Sequence, residues 1–112
     1  MVSLTPAVFH ILLALADRER HGYGIMQEVS TATGGKVILG PGTLYGTIQR
    51  MLESGLIKES GERNDPEVND ERRRYYRITG KGRRAAVTEV ERLQGLLRVA
   101  DAKRLLPRPR PT

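Results

Sequence analysis

The chain has no cysteine and no tryptophan, and its aromatic residues are four Tyr and one Phe among 112 residues. Without a thiol there is no disulfide framework and no thiolate metal site. No apolar run approaches the roughly 18 residues that a membrane span needs. The start, Met1-Val2-Ser3-Leu4-Thr5-Pro6, has neither the basic segment nor the cleavage site of a signal peptide. The cytoplasm is therefore the expected compartment, with no membrane partner. His10 and His21 are the only histidines, and two imidazoles without clustered carboxylates point to a surface or capping role rather than a metal site. The chain pairs no nucleophile with a base and sets no two carboxylates in a cleft-like context. Gly80-Lys81-Gly82 is too short for a phosphate-binding loop. No catalysis, metal or cofactor is expected.

What the chain does have is positive charge, and its distribution is uneven. Residues 1–79 carry 10 basic and 10 acidic side chains, whereas residues 80–112 carry 9 and 3, so the second stretch supplies all of the net +6. The densest run is residues 72–84, with seven bases and no acid. Such a block is either a solvated face or a contact for a polyanion.

Thr5-Pro6 opens a first helix, since Thr caps well and Pro suits the first helical position. Val8, Ile11, Leu12 and Leu15 form one stripe, and Phe9, Leu13 and Ala16 a second about 100° away. An arc that wide exceeds one buried face, so the second stripe is expected to face a partner subunit. A second helix starts after His21-Gly22-Tyr23-Gly24 and stops at Thr33-Gly34-Gly35. Lys36 begins a short link. Gly40-Pro41-Gly42-Thr43 then starts a third helix, whose Leu44, Ile48, Met51 and Leu52 point inward, and Gly55 ends it. Two strands follow, from Leu56 to about Arg63 and from Arg72 to Ile78, around a polar turn. Thr79 caps a long helix that runs to about Leu106. There Ala86, Val90, Leu93, Leu97 and Ala100 recur at the 3.5-residue period of a coiled-coil seam. Pro107 and the alternating Pro and Arg after it read as a disordered basic tail.

The expected fold is mainly α with a small β-hairpin: a winged helix-turn-helix domain over residues 1–79, a dimerisation helix over 80–106 and a tail over 107–112. In that plan the third helix enters the major groove of double-stranded DNA. Its outward face holds Gly42, Thr43, Gly46, Gln49, Arg50 and Glu53, with Tyr45 at the flank. Gln49 and Arg50 can read base edges. Thr43 sits where helix N–H groups favour a phosphate. Gly46 costs about 1 kcal/mol against Ala in a helix, a cost that close approach to a DNA backbone would explain. Lys81, Arg83 and Arg84 oppose the dipole of the last helix, and a phosphate nearby would reverse that effect. Arg72, Arg73, Arg74 and Lys81 are thus assigned to the DNA backbone, which positions the protein without reading sequence, and Lys36 joins the DNA-binding set.

Four segments carry a resemblance. His21-Gly22-Tyr23-Gly24-Ile25, Gly42-Thr43-Leu44-Tyr45, Leu52-Glu53-Ser54-Gly55-Leu56-Ile57 and Arg74-Tyr75-Tyr76-Arg77-Ile78-Thr79, with Gly82 after it, resemble the DNA-binding domain of the PadR family over residues 1–82. The short chain with a single long last helix is similar to the small subgroup of that family. The resemblance implies a homodimer, a palindromic operator and usually repression, sometimes relieved by a small molecule. Two features depart from it. Residues 64–71, at the hairpin tip, carry four acids and no base, so the wing is expected to meet DNA through its strands. The scarcity of aromatics gives little support for a pocket that sandwiches a flat effector. Two other readings stand beside DNA binding. One is a winged-helix module for protein–protein contact, which has no use for an acid-free basic block. The other is an effector-sensing regulator with a ligand between its subunits.

Overall fold

The computed structural model describes residues 4–64 and 72–107. They form α1 (Pro6–Leu15), β1 (Arg20–His21), α2 (Gly22–Ala32), α3 (Pro41–Glu53), β2 (Ile57–Asn64), β3 (Arg72–Ile78) and α4 (Gly80–Ala102). This is the expected mainly helical winged plan with a long last helix. The acidic hairpin tip at 65–71 and the basic tail at 108–112 lie outside the described residues.

Each helix begins where a side chain or a proline lets it. Thr5 Oγ1 accepts the Val8 N–H at 3.3 Å ahead of Pro6. His21 Nδ1 accepts the Gly24 N–H at 3.0 Å, so this histidine is the cap of α2. Thr79 Oγ1 accepts the Gly82 N–H at 3.0 Å. Three helices end in a left-handed residue that folds the next N–H back onto the last turn. Gly34 (φ 63°) and Gly55 (φ 78°) do this for α2 and α3, with Gly35 N–H on Ser30 O and Leu56 N–H on Met51 O. At α4 the same turn is made by Arg104, at φ 61°, with Leu105 N–H on Ala100 O at 2.8 Å. The helix therefore stops at Ala102, short of the expected Leu106. No glycine or proline marks that stop in the sequence.

The sheet has three strands in the order β1-β3-β2. β1 is an addition to the expected hairpin: Arg20 pairs with Tyr76 and His21 with Tyr75. Two polar residues carry no strand pattern of their own, and only the exposed edge of β3 makes them a strand. Between β2 and β3 the register runs Glu59↔Tyr76 and then Gly61↔Tyr75, leaving Ser60 as a bulge beside Gly61 at φ 127°.

The core joins Ile11, Leu12 and Leu15 of α1, Ile25 and Val29 of α2, Leu44, Ile48 and Met51 of α3, and Leu56, Ile57 and Tyr76. The first stripe of α1 is thus inward, while Leu13 on the second is 47% exposed. Buried Gly82 seats the start of α4 on the start of β2, where a Cβ would fall onto the Leu56 carbonyl oxygen. Gly82→Ala should therefore cost about 1–3 kcal/mol of unfolding free energy. A Cβ at Gly46 would meet only an Arg50 guanidinium nitrogen at 3.6 Å, so Gly46→Ala should stabilise by up to about 1 kcal/mol. Urea unfolding of both variants checks the opposite signs, and a shared sign would contradict this account of the packing.

Candidate nucleic-acid interface

On α3 the buried residues are Leu44, Thr47, Ile48 and Met51. Thr47 joins the expected inward stripe, because its hydroxyl donates to the Thr43 carbonyl at 2.6 Å and so leaves no unpaired polar atom inside. Leu52 is only half-buried. The opposite face presents Gly42, Thr43, Tyr45, Gln49, Arg50 and Glu53 to solvent, with Gly46 half-buried among them. Gln49 Nε2 donates to Glu53 Oε1 at 3.3 Å, and Arg50 Nη2 donates to Thr47 Oγ1 at 3.2 Å. Each long side chain is parked along its own helix by one partner, an interaction worth about 1 kcal/mol. A base edge offering two hydrogen bonds can displace either.

The N-terminus of α3 is open. Its cap is Gly40, which supplies no side-chain hydrogen bond, so the positive end of the helix dipole is left to whatever approaches. The preceding link holds exposed Lys36 and a residue the sequence reading passed over, Ile38, at 76% exposure.

Tyr45 leans over Gly22, where a Cβ would come within 2.5 Å of its hydroxyl. This contact ties α3 to the start of α2. Beside it an open cleft of about 230 Å³ is lined by His21, Gly22, Tyr45, Arg73, Arg74 and Tyr76. Tyr45, Arg73 and Arg74 are thereby gathered between α3 and the wing. His21 and Tyr76 join them without having been singled out; that follows from the β1–β3 pairing, which sequence alone did not signal. Burial raises the Tyr76 phenol above its ordinary pKa, and Glu59 and Tyr45 push it the same way, while Arg74 opposes. The His21 ring stands edge-on to Tyr75 at 5.2 Å.

The basic run does not act as one block. Lys81 Nζ donates to Ser54 O at 2.7 Å, at the C-terminal end of α3. Arg83 Nη2 donates to Ala16 O at 2.8 Å, just past α1. Arg20 Nε, from β1, donates to Ala14 O at 2.8 Å. Cations at the start of α4 thus serve the negative C-terminal ends of other helices, which explains their position without a phosphate. Arg74 faces carboxylates across the strand, with Glu62 at 3.6 Å and Glu59 at 3.9 Å. Arg73 is half-buried and lines the cleft. The side chain of Arg72 lies outside the described residues.

The expected seam on α4 needs one correction. Ala86 is 9% exposed and packs in the core of its own chain, so it is not on an outer face. From Val87 to the end of α4 no residue is buried. Val90 is 38% and Leu97 52% exposed, and Leu93 and Ala100 are half-buried. Val87, Leu96 and Val99, outside the expected seam, are also at least half exposed. On α1, Phe9 is half-buried and Leu13 exposed.

Residues 11–88 match the family described as transcriptional regulator PadR-like. A transcriptional regulator of Mycobacterium tuberculosis is 44% identical over 84 residues, which cover 74% of this chain and 70% of that protein. The crystal structure of a PadR family transcription regulator from Clostridium difficile superposes with a TM-score of 0.71 at 21% identity, over 88% of this chain and 97% of that one. Bacillus subtilis PadR in complex with operator DNA superposes with a TM-score of 0.61 at 16% identity, over 93% of this chain and 49% of that one. At such identities the two structures speak for the fold.

The neighbouring arginines Arg83 and Arg84 should respond oppositely to loss of charge. Arg83→Gln removes a hydrogen bond to α1 and should lower stability by about 0.5 kcal/mol. Arg84→Gln removes a cation from the wrong end of α4 and should raise it by a few tenths. Paired thermal melts decide the signs.

Proposed function

Because the chain belongs to the PadR-like family of transcriptional regulators, we propose that it is a DNA-binding repressor. It acts as a homodimer and lays α3 of each copy in the major groove of an inverted-repeat operator. The observation that carries this reading is the outward face of α3. Small residues (Gly42, Thr43, Gly46) let a helix come close to DNA, and Gln49 and Arg50 stand on the same face with hydrogen-bonding ends suited to adenine and guanine edges. Lys36 at one end, and Tyr45, Arg73 and Arg74 at the wing side, supply the phosphate contacts that hold the helix in register. Lys81, exposed and held by one hydrogen bond to Ser54 O, stays among the phosphate contacts, which it reaches by giving up that bond as Arg74 gives up Glu59 and Glu62. The place of work is the cytoplasm, and among the described residues no helix is long and apolar enough to cross a membrane.

Dimerisation rests on the far half of α4. A helical segment with no buried residue of its own is marginal in water at this length. It carries Val90, Leu93, Leu97 and Ala100 along one side. A second copy would cover that stripe together with Phe9 and Leu13 of α1. No effector is assigned.

Two measurements test this reading. In sedimentation the 12.5 kDa chain should run near twice its mass, and Leu93→Asp with Leu97→Asp should give monomers or unfolded protein. A stable monomer of the unmodified chain at micromolar concentration would contradict the dimer. Selection from a random duplex pool should enrich an inverted repeat, and Gln49→Ala or Arg50→Ala should relax one position per half-site by about 1–3 kcal/mol. Arg73→Ala should weaken every sequence alike and reduce the log–log salt slope by roughly one unit. An enriched motif that survives both α3 substitutions would remove Gln49 and Arg50 from the reading set.

A further inference from the structure

We infer that Ile38 is a base-reading residue that contacts the 5-methyl group of a thymine in each operator half-site. The inference rests on the proposed placement of α3 in the major groove. Ile38 is the most exposed of the large apolar residues described, at 76%, and it stands three residues before the first residue of α3. A partner that covered this side chain would remove its apolar area from water, which is favourable. Its backbone is held in place. Val37 N–H donates to Thr33 Oγ1 at 3.0 Å, Val37 packs against the core, and Leu39 is buried in it. Leu39 is buried while Ile38 is exposed, between exposed Lys36 and Gly40.

The surroundings name the occupant. Lys36 and the uncapped, positive end of α3 flank Ile38, and neither suits an apolar protein partner, while both suit a polyanion. In helix-turn-helix docking the N-terminal part of the recognition helix contacts base edges, and Ile38 stands just before it while Gln49 and Arg50 follow on the same helix. The apolar feature a base pair presents in the major groove is the thymine methyl group. An isoleucine pinned beside the groove-entering end of α3 therefore reads thymine by apolar contact, alongside the hydrogen-bonding residues further along the helix.

Replacing thymine by deoxyuridine removes only that methyl and keeps every hydrogen bond. The test uses the full-length protein and the duplex it selects. Each thymine is replaced in turn, symmetrically in both half-sites, and binding is followed by fluorescence anisotropy for the unmodified protein, Ile38→Val and Ile38→Ala. At one position per half-site the replacement should weaken the unmodified protein about fourfold, the value of one buried methyl. Ile38→Val should retain most of that effect. Ile38→Ala should be insensitive there and bind the thymine duplex about as weakly as the unmodified protein binds the uracil one. A selected operator at which no replacement separates the unmodified protein from Ile38→Ala overturns the inference while leaving the DNA-binding reading intact. Weaker binding by Ile38→Ala with no methyl dependence also overturns it, in favour of a sugar contact. A change of sedimentation in Ile38→Ala overturns it in favour of a protein contact. Failure of the pool to yield any preferred duplex overturns the sequence-specific reading itself, and this inference with it.

Discussion

The close seat of Gly82 on the Leu56 carbonyl is the contact on which the arrangement of the other parts depends. Leu56 follows the left-handed turn that ends α3 and precedes the first residue of the wing. Thr79 sits on the same spot. Its N–H donates to Leu56 O at 3.1 Å, and its hydroxyl donates to Gly55 O at 2.6 Å while accepting from Gly82 N–H. Lys81 completes the joint at Ser54 O. One small volume therefore fixes the end of α3, the start of β2 and the start of α4. A rotation there would change the angle between α3 and α4. A side chain at Gly82 is excluded by that proximity, not by backbone conformation.

Charge is divided by the fold in a way its sequence order hides. Residues 72–84 read as one cationic run, yet their side chains go to different places. Lys81 and Arg83 neutralise helix ends inside the molecule, Arg74 meets Glu59 and Glu62, and Arg73 lines the cleft beside Tyr45. The carboxylates opposite Arg74 come from β2, and only strand pairing brings them there. Conversely, His21 and Tyr45, far from the basic run in sequence, share that cleft with the arginines because β1 adds to β3 and Gly22 leaves room for the Tyr45 ring.

The two halves of α4 have different work. The first turns, with Gly82 and Ala86 buried, belong to the same core as α1. The remainder carries apolar side chains of which none is buried. Its polar side is steadied by the Glu89–Arg92 pair, two hydrogen bonds at 2.8 and 2.7 Å that hold the Glu89 carboxyl below its ordinary pKa. A heptad-like stripe predicts an apolar face but not what covers it. Ala86 lies on the same stripe as Val90 and is covered by its own chain. The division falls where the domain beneath the helix ends.

What the sequence determined by itself is everything written in local chemistry. Thr5-Pro6, Thr79, Gly34 and Gly55 set helix ends through hydrogen bonds that span only a few residues. The inward stripes of α1 and α3 follow from periodicity and the cost of exposing apolar area. The outward face of α3 follows as the complement of its core. The tertiary structure decided whatever depends on partners distant in the chain. The strand at Arg20–His21 exists because β3 offers an open edge. The stop of α4 at Ala102 is a left-handed turn at an arginine, which no residue preference announces. The tasks of Lys81, Arg83 and Arg74 were fixed by which carbonyl or carboxylate the fold brought within reach. A long cation opposes or serves a helix dipole according to where its end lands, and that end can land several ångströms from the helix that carries it.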